Sequence, residues 1–246
     1  MKLYLNCMQC TSESKGVINY KKEVEYNEEG YYYFECSKGH KNFVVLQEEK
    51  FETLFQIGAH AIYDGYYREA VSSFTSSLER FYEFCVQIFC RKHNVPIEKI
   101  TECAKFYNKS SERQFGSFLF LFLVEFSDLP FTKQEDDKWR KFRNNVIHNG
   151  QIPTKEEAIQ YGDNVRKLII SIMIKLKEKH SKEITELITY NLRVRSKQNN
   201  NNCNVTTLCN PNIISLVNGN IEKDLEEDFI SQIESMKKLE YAIATH

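Results

Sequence analysis

Residues 67–89 read YREAVSSFTSSLERFYEFCVQIF, and this stretch decides the fold class. Tyr67, Ala70, Val71, Phe74, Leu78, Phe81, Tyr82, Cys85, Ile88 and Phe89 recur at steps of three and four. That is the period of one face of an amphipathic α-helix. The helix must stop before Pro96, because a proline pushes the residue in front of it out of the helical region. Upstream, the same period predicts a helix from about Glu48 to Tyr63, closed by Asp64-Gly65. Downstream, Ile97 to Tyr107 predicts a short helix.

Ser110 to Phe126 is apolar on every side, as expected of the central element of a bundle, and Asp128-Leu129-Pro130 breaks it. Gln134 to about His148 resumes with Trp139, Phe142 and Val146 on one face and stops at Asn149-Gly150. Thr154 and Glu157 stand at capping-box spacing. Ala158, Tyr161, Val165, Leu168, Ile169, Ile172 and Leu176 form the inner face of the helix that follows. Residues 48–195 therefore read as an up-and-down helical bundle. Residues 196–246 read as a tail: a flexible Asn-rich loop over Ser196–Asn212, then one amphipathic helix from about Glu222 to Ala242.

Residues 1–47 follow a different pattern. Val17–Glu25, Tyr31–Glu35 and Asn42–Leu46 read as three short strands, with turn chemistry at Asn27–Gly30. Three short strands bury too little surface to fold alone. Cys7-x2-Cys10 and Cys36-x3-His40 supply the missing constraint, since two close pairs of ligands around a hairpin form the layout of a zinc ribbon. Four protein ligands leave no open position, so the zinc is expected to be structural. The fold class is thus mostly α, with a small three-stranded β zinc ribbon in front.

Composition narrows the function. Over 246 residues the formal net charge is −1, so any nucleic-acid binding must come from a local patch. The basic stretch Arg166–Lys197 is one candidate, and the acidic tail Ile221–His246 could fold back over it and restrain binding. Eight cysteines without an apolar leader predict reduced thiols in the cytoplasm. Cys203 and Cys209 have no histidines nearby and read as incidental. The most apolar run, Phe118–Val124, is far shorter than the ~20 residues that span a bilayer, so no membrane is expected.

The candidate chemistry lies in Lys141–Gly150, KFRNNVIHNG. On an ideal helix Asn144 and His148 share a face, while Arg143 is offset from His148 by ~140°. His148 abuts Asn149-Gly150 and so falls at the helix end, where it can turn toward the arginine and where a helix C-terminus favours its protonated form. Arg143-Asn144-x3-His148 resembles the Rx4–6H signature of the HEPN superfamily. The long early helix carrying Glu79 and the amphipathic helix after Pro153 are similar to that family as well, so that the resemblance covers about residues 50 to 180.

The resemblance implies a helical bundle that forms a homodimer, with two Arg–His motifs facing one composite cleft. It implies RNA cleavage without a catalytic metal, in which the ribose 2′-hydroxyl attacks the adjacent phosphodiester. His148 would carry the proton, Arg143 would stabilise phosphate charge, Asn144 would position the pair, and Glu79 would be a fourth member. Family members often serve as toxins or anti-phage effectors, which leaves room for a regulatory protein partner. An inactive HEPN module that binds RNA or protein is the alternative reading.

Overall fold

The computed structural model describes residues 2–14, 21–200, 203–210, 212–217 and 221–245. It is mostly α-helical with a small β part. The chain forms two compact units: Met1–Glu48, Ile188–Pro211 and Lys237–His246 make the first, and Glu49–Leu187 with Asn212–Met236 make the second. The first unit thus holds the residues of the expected ribbon together with two C-terminal segments. The tail does not stand apart, for its residues are divided between the two units.

In the first unit, β1 (Lys2–Asn6) pairs antiparallel with β2 (Lys21–Glu25), and β3 (Tyr31–Glu35) pairs antiparallel with β4 (Lys41–Leu46). A six-residue helix, α1 (Met8–Glu13), follows β1. The expected hairpin differs from this arrangement: β2 pairs with β1 and not with β3, and β1 was not foreseen. Residues 17–20 of the expected first strand lie outside the described residues. The physical reason is that each hairpin closes on one ligand pair, so the turn at Asn27 only links them. Its side-chain oxygen accepts from the Gly30 N–H at 2.9 Å, and Gly30 takes φ +67°, a conformation glycine adopts without strain.

Where the sequence predicts a flexible loop, β5 (Asn204–Leu208) lies parallel to β4, with Asn42 opposite Asn204 and Leu46 opposite Leu208. Val205, Thr206 and Thr207 are β-branched, which suits a strand despite the Asn-rich surroundings. Leu3, Leu5, Cys7, Cys10, Tyr32, Phe34, Cys36, Val44 and Leu46 form one buried cluster shared by the two sheets. Three of the four proposed metal ligands are therefore part of the core itself.

The second unit is built on α3 (Tyr67–Lys92), which packs against α2 (Lys50–Tyr63), α4 (Ile97–Ala104), α5 (Ser111–Phe126) and α6 (Lys133–Ile147). The hub is α3 and not α5, contrary to the sequence expectation. Phe118 and Phe122 of α5 are buried, but Phe120, Leu123 and Val124 are exposed. Apolar residues all around a helix also suit an outer helix with a second, uncovered face. The long α7 (Lys155–Ser196) starts behind the expected box, with Thr154 N–H donating to Glu157 Oε2 at 2.8 Å. Its backbone breaks at His180 (φ −130°, ψ 26°). Gly162 on α7 admits the rings of Phe74 and Phe229, where a Cβ would lie 2.6 and 2.9 Å from them.

The single helix expected over 222–242 is two helices, α8 (Ile221–Glu226) and α9 (Phe229–Thr245). The break falls at Glu227-Asp228, where Asp228 Oδ2 accepts from the Ser231 N–H at 2.9 Å and so caps the new start. Ile213, Ile214, Leu216, Ile221, Phe229, Ile233 and Met236 are buried. Leu216 N–H donates to Glu52 Oε1 at 2.7 Å and Ile213 N–H to Gln56 Oε1 at 3.2 Å. Arg166, 1 % exposed, donates to Asp163 and to the carbonyls of Asp224 and Glu227. Residues 221–236 of the acidic tail thus contribute to the core of the second unit, where they close over Arg166.

Candidate active site and candidate metal site

The α6 sequence carries a polar and aromatic stripe, Asp136, Trp139, Arg140, Arg143, Asn144 and His148, at steps of three, one, three, one and four. Helical geometry sets these side chains along one side of α6. They line a cavity of about 540 Å³, together with Thr75, Leu78, Glu79 and Tyr82 of α3, residues 109–112 and Phe115 around the start of α5, Phe131, and Tyr161 of α7. Arg143, Asn144, His148 and Glu79, the four residues singled out in the sequence, thus share one lining. The expected offset of Arg143 does not separate it from the others, because its long side chain spans the difference.

Arg143 donates to Glu79 Oε1 at 3.3 Å and to Asn144 Oδ1 at 2.8 Å. Asn144 orients the guanidinium, and Glu79 balances its charge. Burial pushes the Glu79 carboxyl above its ordinary value, against the opposing pull of Arg143 and Arg80. Below Arg143 lies Tyr161, whose hydroxyl is 2.9 Å from Thr75 Oγ1. The Thr75 hydroxyl donates to the Val71 carbonyl at 2.8 Å, so Tyr161 donates to Thr75. Burial holds the Tyr161 phenol protonated.

His148 forms the C-cap of α6, its N–H donating to the Asn144 carbonyl at 2.9 Å. Among the described residues its ring has no hydrogen-bonding or ionic partner, and it is exposed. Such an imidazole is accessible to a ligand from the cavity. The aromatic part of this lining, Phe115, Phe131 and Trp139, was not singled out in the sequence. The stripe on α6 could have found Trp139, whereas Phe115 and Phe131 carry no local signal.

The basic stretch after Arg166 is mostly engaged elsewhere. Arg166 is internal, Lys175 pairs with Asp128 at 2.9 Å, Lys179 pairs with Glu125 at 3.5 Å, and Arg195 donates to the Leu46 and Glu48 carbonyls. Arg166 and Arg195 thus serve the fold, while Lys175 and Lys179 remain 41 % and 43 % exposed in their ion pairs.

In the first unit, Cys7, Cys10, Cys36 and His40 bring their ligand atoms within 4.8 Å of one another, a cluster that could bind a metal ion. Cys10 Sγ is 3.7 Å from Cys36 Sγ and 3.4 Å from His40 Nδ1, and Cys7 Sγ is 3.7 Å from His40 Nδ1. A tetrahedral centre with metal–sulfur bonds of about 2.3 Å has sulfur–sulfur edges of about 3.8 Å. Cys7 caps α1, and its sulfur accepts from the Cys10 N–H at 3.5 Å. Cys36 and His40 close the second turn, with Gly39 at φ +79°. Burial first, and then the neighbouring Cys7 and Cys36 sulfurs, push the Cys10 thiol up to about 12, so a thiolate there calls for a cation. His40 Nε2 lies 3.4 Å from Glu13 Oε1, which leaves Nδ1 as the ligand atom. Cys203 and Cys209 flank β5, and among the described residues neither joins a metal-binding group.

No helix among the described residues is long and apolar enough to cross a membrane. Comparisons with protein-family models, with curated proteins and with solved structures find no match.

Proposed function

We propose that this chain is a metal-independent endoribonuclease of the HEPN type. One observation carries the reading: Arg143, Asn144, His148 and Glu79 line a single cavity, where Asn144 and Glu79 hold the guanidinium and the imidazole has no partner among the described residues. His148 takes the proton of a ribose 2′-hydroxyl, the 2′-oxygen attacks phosphorus, and the bond to the 5′-oxygen breaks. The products are a 2′,3′-cyclic phosphate and a 5′-hydroxyl, whose oxygen takes a proton from water as it leaves while the His148 imidazolium returns its proton to the solvent. Arg143 exchanges Glu79 for the phosphate and stabilises its growing charge.

In this reading RNA is the partner and the Cys3His cluster holds structural zinc. The enzyme acts as a homodimer in the cytoplasm, as a toxin or defence effector open to a regulatory protein. The exposed Phe120, Leu123 and Val124 of α5 support self-association, and the free thiols support a reducing compartment.

The test is cleavage of total RNA in EDTA, with product ends mapped. Wild type should leave cyclic phosphates. Arg143→Ala and His148→Ala should each lower the rate by ~10²–10⁴-fold while the circular dichroism spectrum is kept. Undiminished cleavage by His148→Ala would sink the assignment. RNA binding without any turnover by wild type would favour the inactive module.

A further inference from the structure

The cavity holds more than the Arg–His group needs. Phe115 and Phe131 stack with ring centroids 5.9 Å apart and planes 13° apart, and Trp139 meets Phe131 edge-on at 5.7 Å. All three rings line the cavity, and none is fully buried. Core aromatics of this unit behave otherwise, for Phe74, Phe81, Phe89, Phe118 and Phe122 are wholly inaccessible. An aromatic wall kept half open beside cations suits a ligand with a flat ring joined to an anion.

Trp139 stands one helical turn before Arg143, about 6 Å along the axis, which is within the span from a nucleotide's phosphate to its base. Lys109 also lines the cavity, and among the described residues it has no ionic partner. A cavity of about 540 Å³ lies within the ~300–1,000 Å³ usual for small-molecule sites. The geometry points to a nucleobase subsite: Phe115, Phe131 and Trp139 receive one unpaired base of a single-stranded RNA whose adjoining phosphate lies at Arg143. This rests on the ribonuclease reading and specifies its substrate. A paired base cannot reach the wall, because its faces are covered by neighbours in the stack. Single-stranded segments offer free faces, and stacking on aromatic side chains is sequence-tolerant.

Trp139 is the chain's one tryptophan, so its fluorescence reports directly from the wall. The full-length wild-type chain is titrated with a single-stranded 2′-O-methyl oligoribonucleotide, which lacks the attacking hydroxyl and survives the measurement. The same oligomer with abasic sites and the same sequence as a duplex serve as comparisons. Saturable quenching is expected from the intact single strand, with affinity roughly five- to hundred-fold weaker for the abasic strand. The duplex should quench no better than the abasic strand. Equal quenching by intact and abasic strands, or tighter binding of the duplex, overturns the subsite. Phe131→Ala should weaken binding of the intact strand and leave the abasic one unchanged. The strand comparison on wild type decides the matter even if that variant does not fold. The two readings fail separately. Cleavage without discrimination against abasic strands removes the base subsite and spares the nuclease, whereas discrimination without cleavage does the reverse.

Discussion

At the scale of single residues, the two candidate sites use the same device, a charged or polar neighbour that fixes the orientation of the working group. Asn144 holds the Arg143 guanidinium in the second unit, and Glu13 faces the outer nitrogen of His40 in the first. Glu13 also accepts from Lys38 at 3.2 Å, and that hydrogen bond chiefly keeps its carboxyl below the usual range. An ionised carboxylate at the far nitrogen strengthens an imidazole as a ligand. Glu13→Ala should therefore lower the affinity for the proposed zinc by about 10–100-fold without changing the number of ligands. Chelator competition measures this, and an unchanged affinity would remove Glu13 from the site. That Cys7, Cys10, Cys36 and His40 form one cluster able to bind a metal ion was legible from spacing alone. Glu13 was not, since nothing local in the sequence links it to a histidine 27 residues later.

At the scale of elements, what was legible depended on whether the information was local. Helices α2 to α7 announced themselves through period and caps, unlike α1 and the division of α8 from α9, and the Thr154–Glu157 box is present where the sequence put it. The pairing of β1 with β2 and of β4 with β5 depends on partners up to about 160 positions apart, which a local pattern does not encode. The outer position of α5 was equally hidden, because apolar residues around a helix do not say which side is covered. The break in α7 was hidden too. There His180 is wholly buried, edge-on to Phe89 and Phe126, with its Nε2 3.3 Å from Glu125 Oε2 but without hydrogen-bond geometry. Lys92 of α3, His93 at its C-cap, and Lys179 and Glu183 of α7 also face this carboxylate–imidazole pair. Burial lowers the His180 pKa below its ordinary 6.5. The unfolded chain then binds a proton that the folded one refuses. The stability from the neutral ring is complete above pH 6.5 and is lost as pH falls toward the depressed folded value, by at most about 1.4 kcal/mol per pH unit. Melting temperatures of wild type should fall on acidification below pH 6.5, and His180→Gln should flatten that dependence whatever its own stability. An unaltered slope in the variant would show that another group controls it.

At the scale of the whole molecule, the C-terminal sequence gives the sharpest contrast between composition and structure. An Asn run followed by an acidic amphipathic segment reads as a detachable tail, and on that basis its removal should expose a basic surface and tighten RNA binding. The buried positions argue the opposite. Ile213, Ile214, Leu216, Ile221, Phe229, Ile233 and Met236 each withdraw an apolar side chain from water, at about 1.5–3 kcal/mol apiece. Even discounted for a compact unfolded state, their sum rivals the ~5–15 kcal/mol by which a domain is stable at all. Removal would also take the Asp224 and Glu227 carbonyls from the buried Arg166 and leave it Asp163 alone, and each buried donor left without an acceptor costs about 1–3 kcal/mol more. Phe74 and Gly162 would lose the Phe229 ring packed beside them. The expected result for a chain ending at residue 197 is thus loss of cooperative melting and of near-ultraviolet circular dichroism, with RNA affinity changed only as a consequence of unfolding. A truncated chain that melts cooperatively and binds RNA more tightly would return the segment to the role of a removable cover. The milder Phe229→Ala separates the two cases in an intact chain, since a core residue should cost about 3–5 kcal/mol, whereas a residue on a removable cover should leave the melting temperature nearly unchanged.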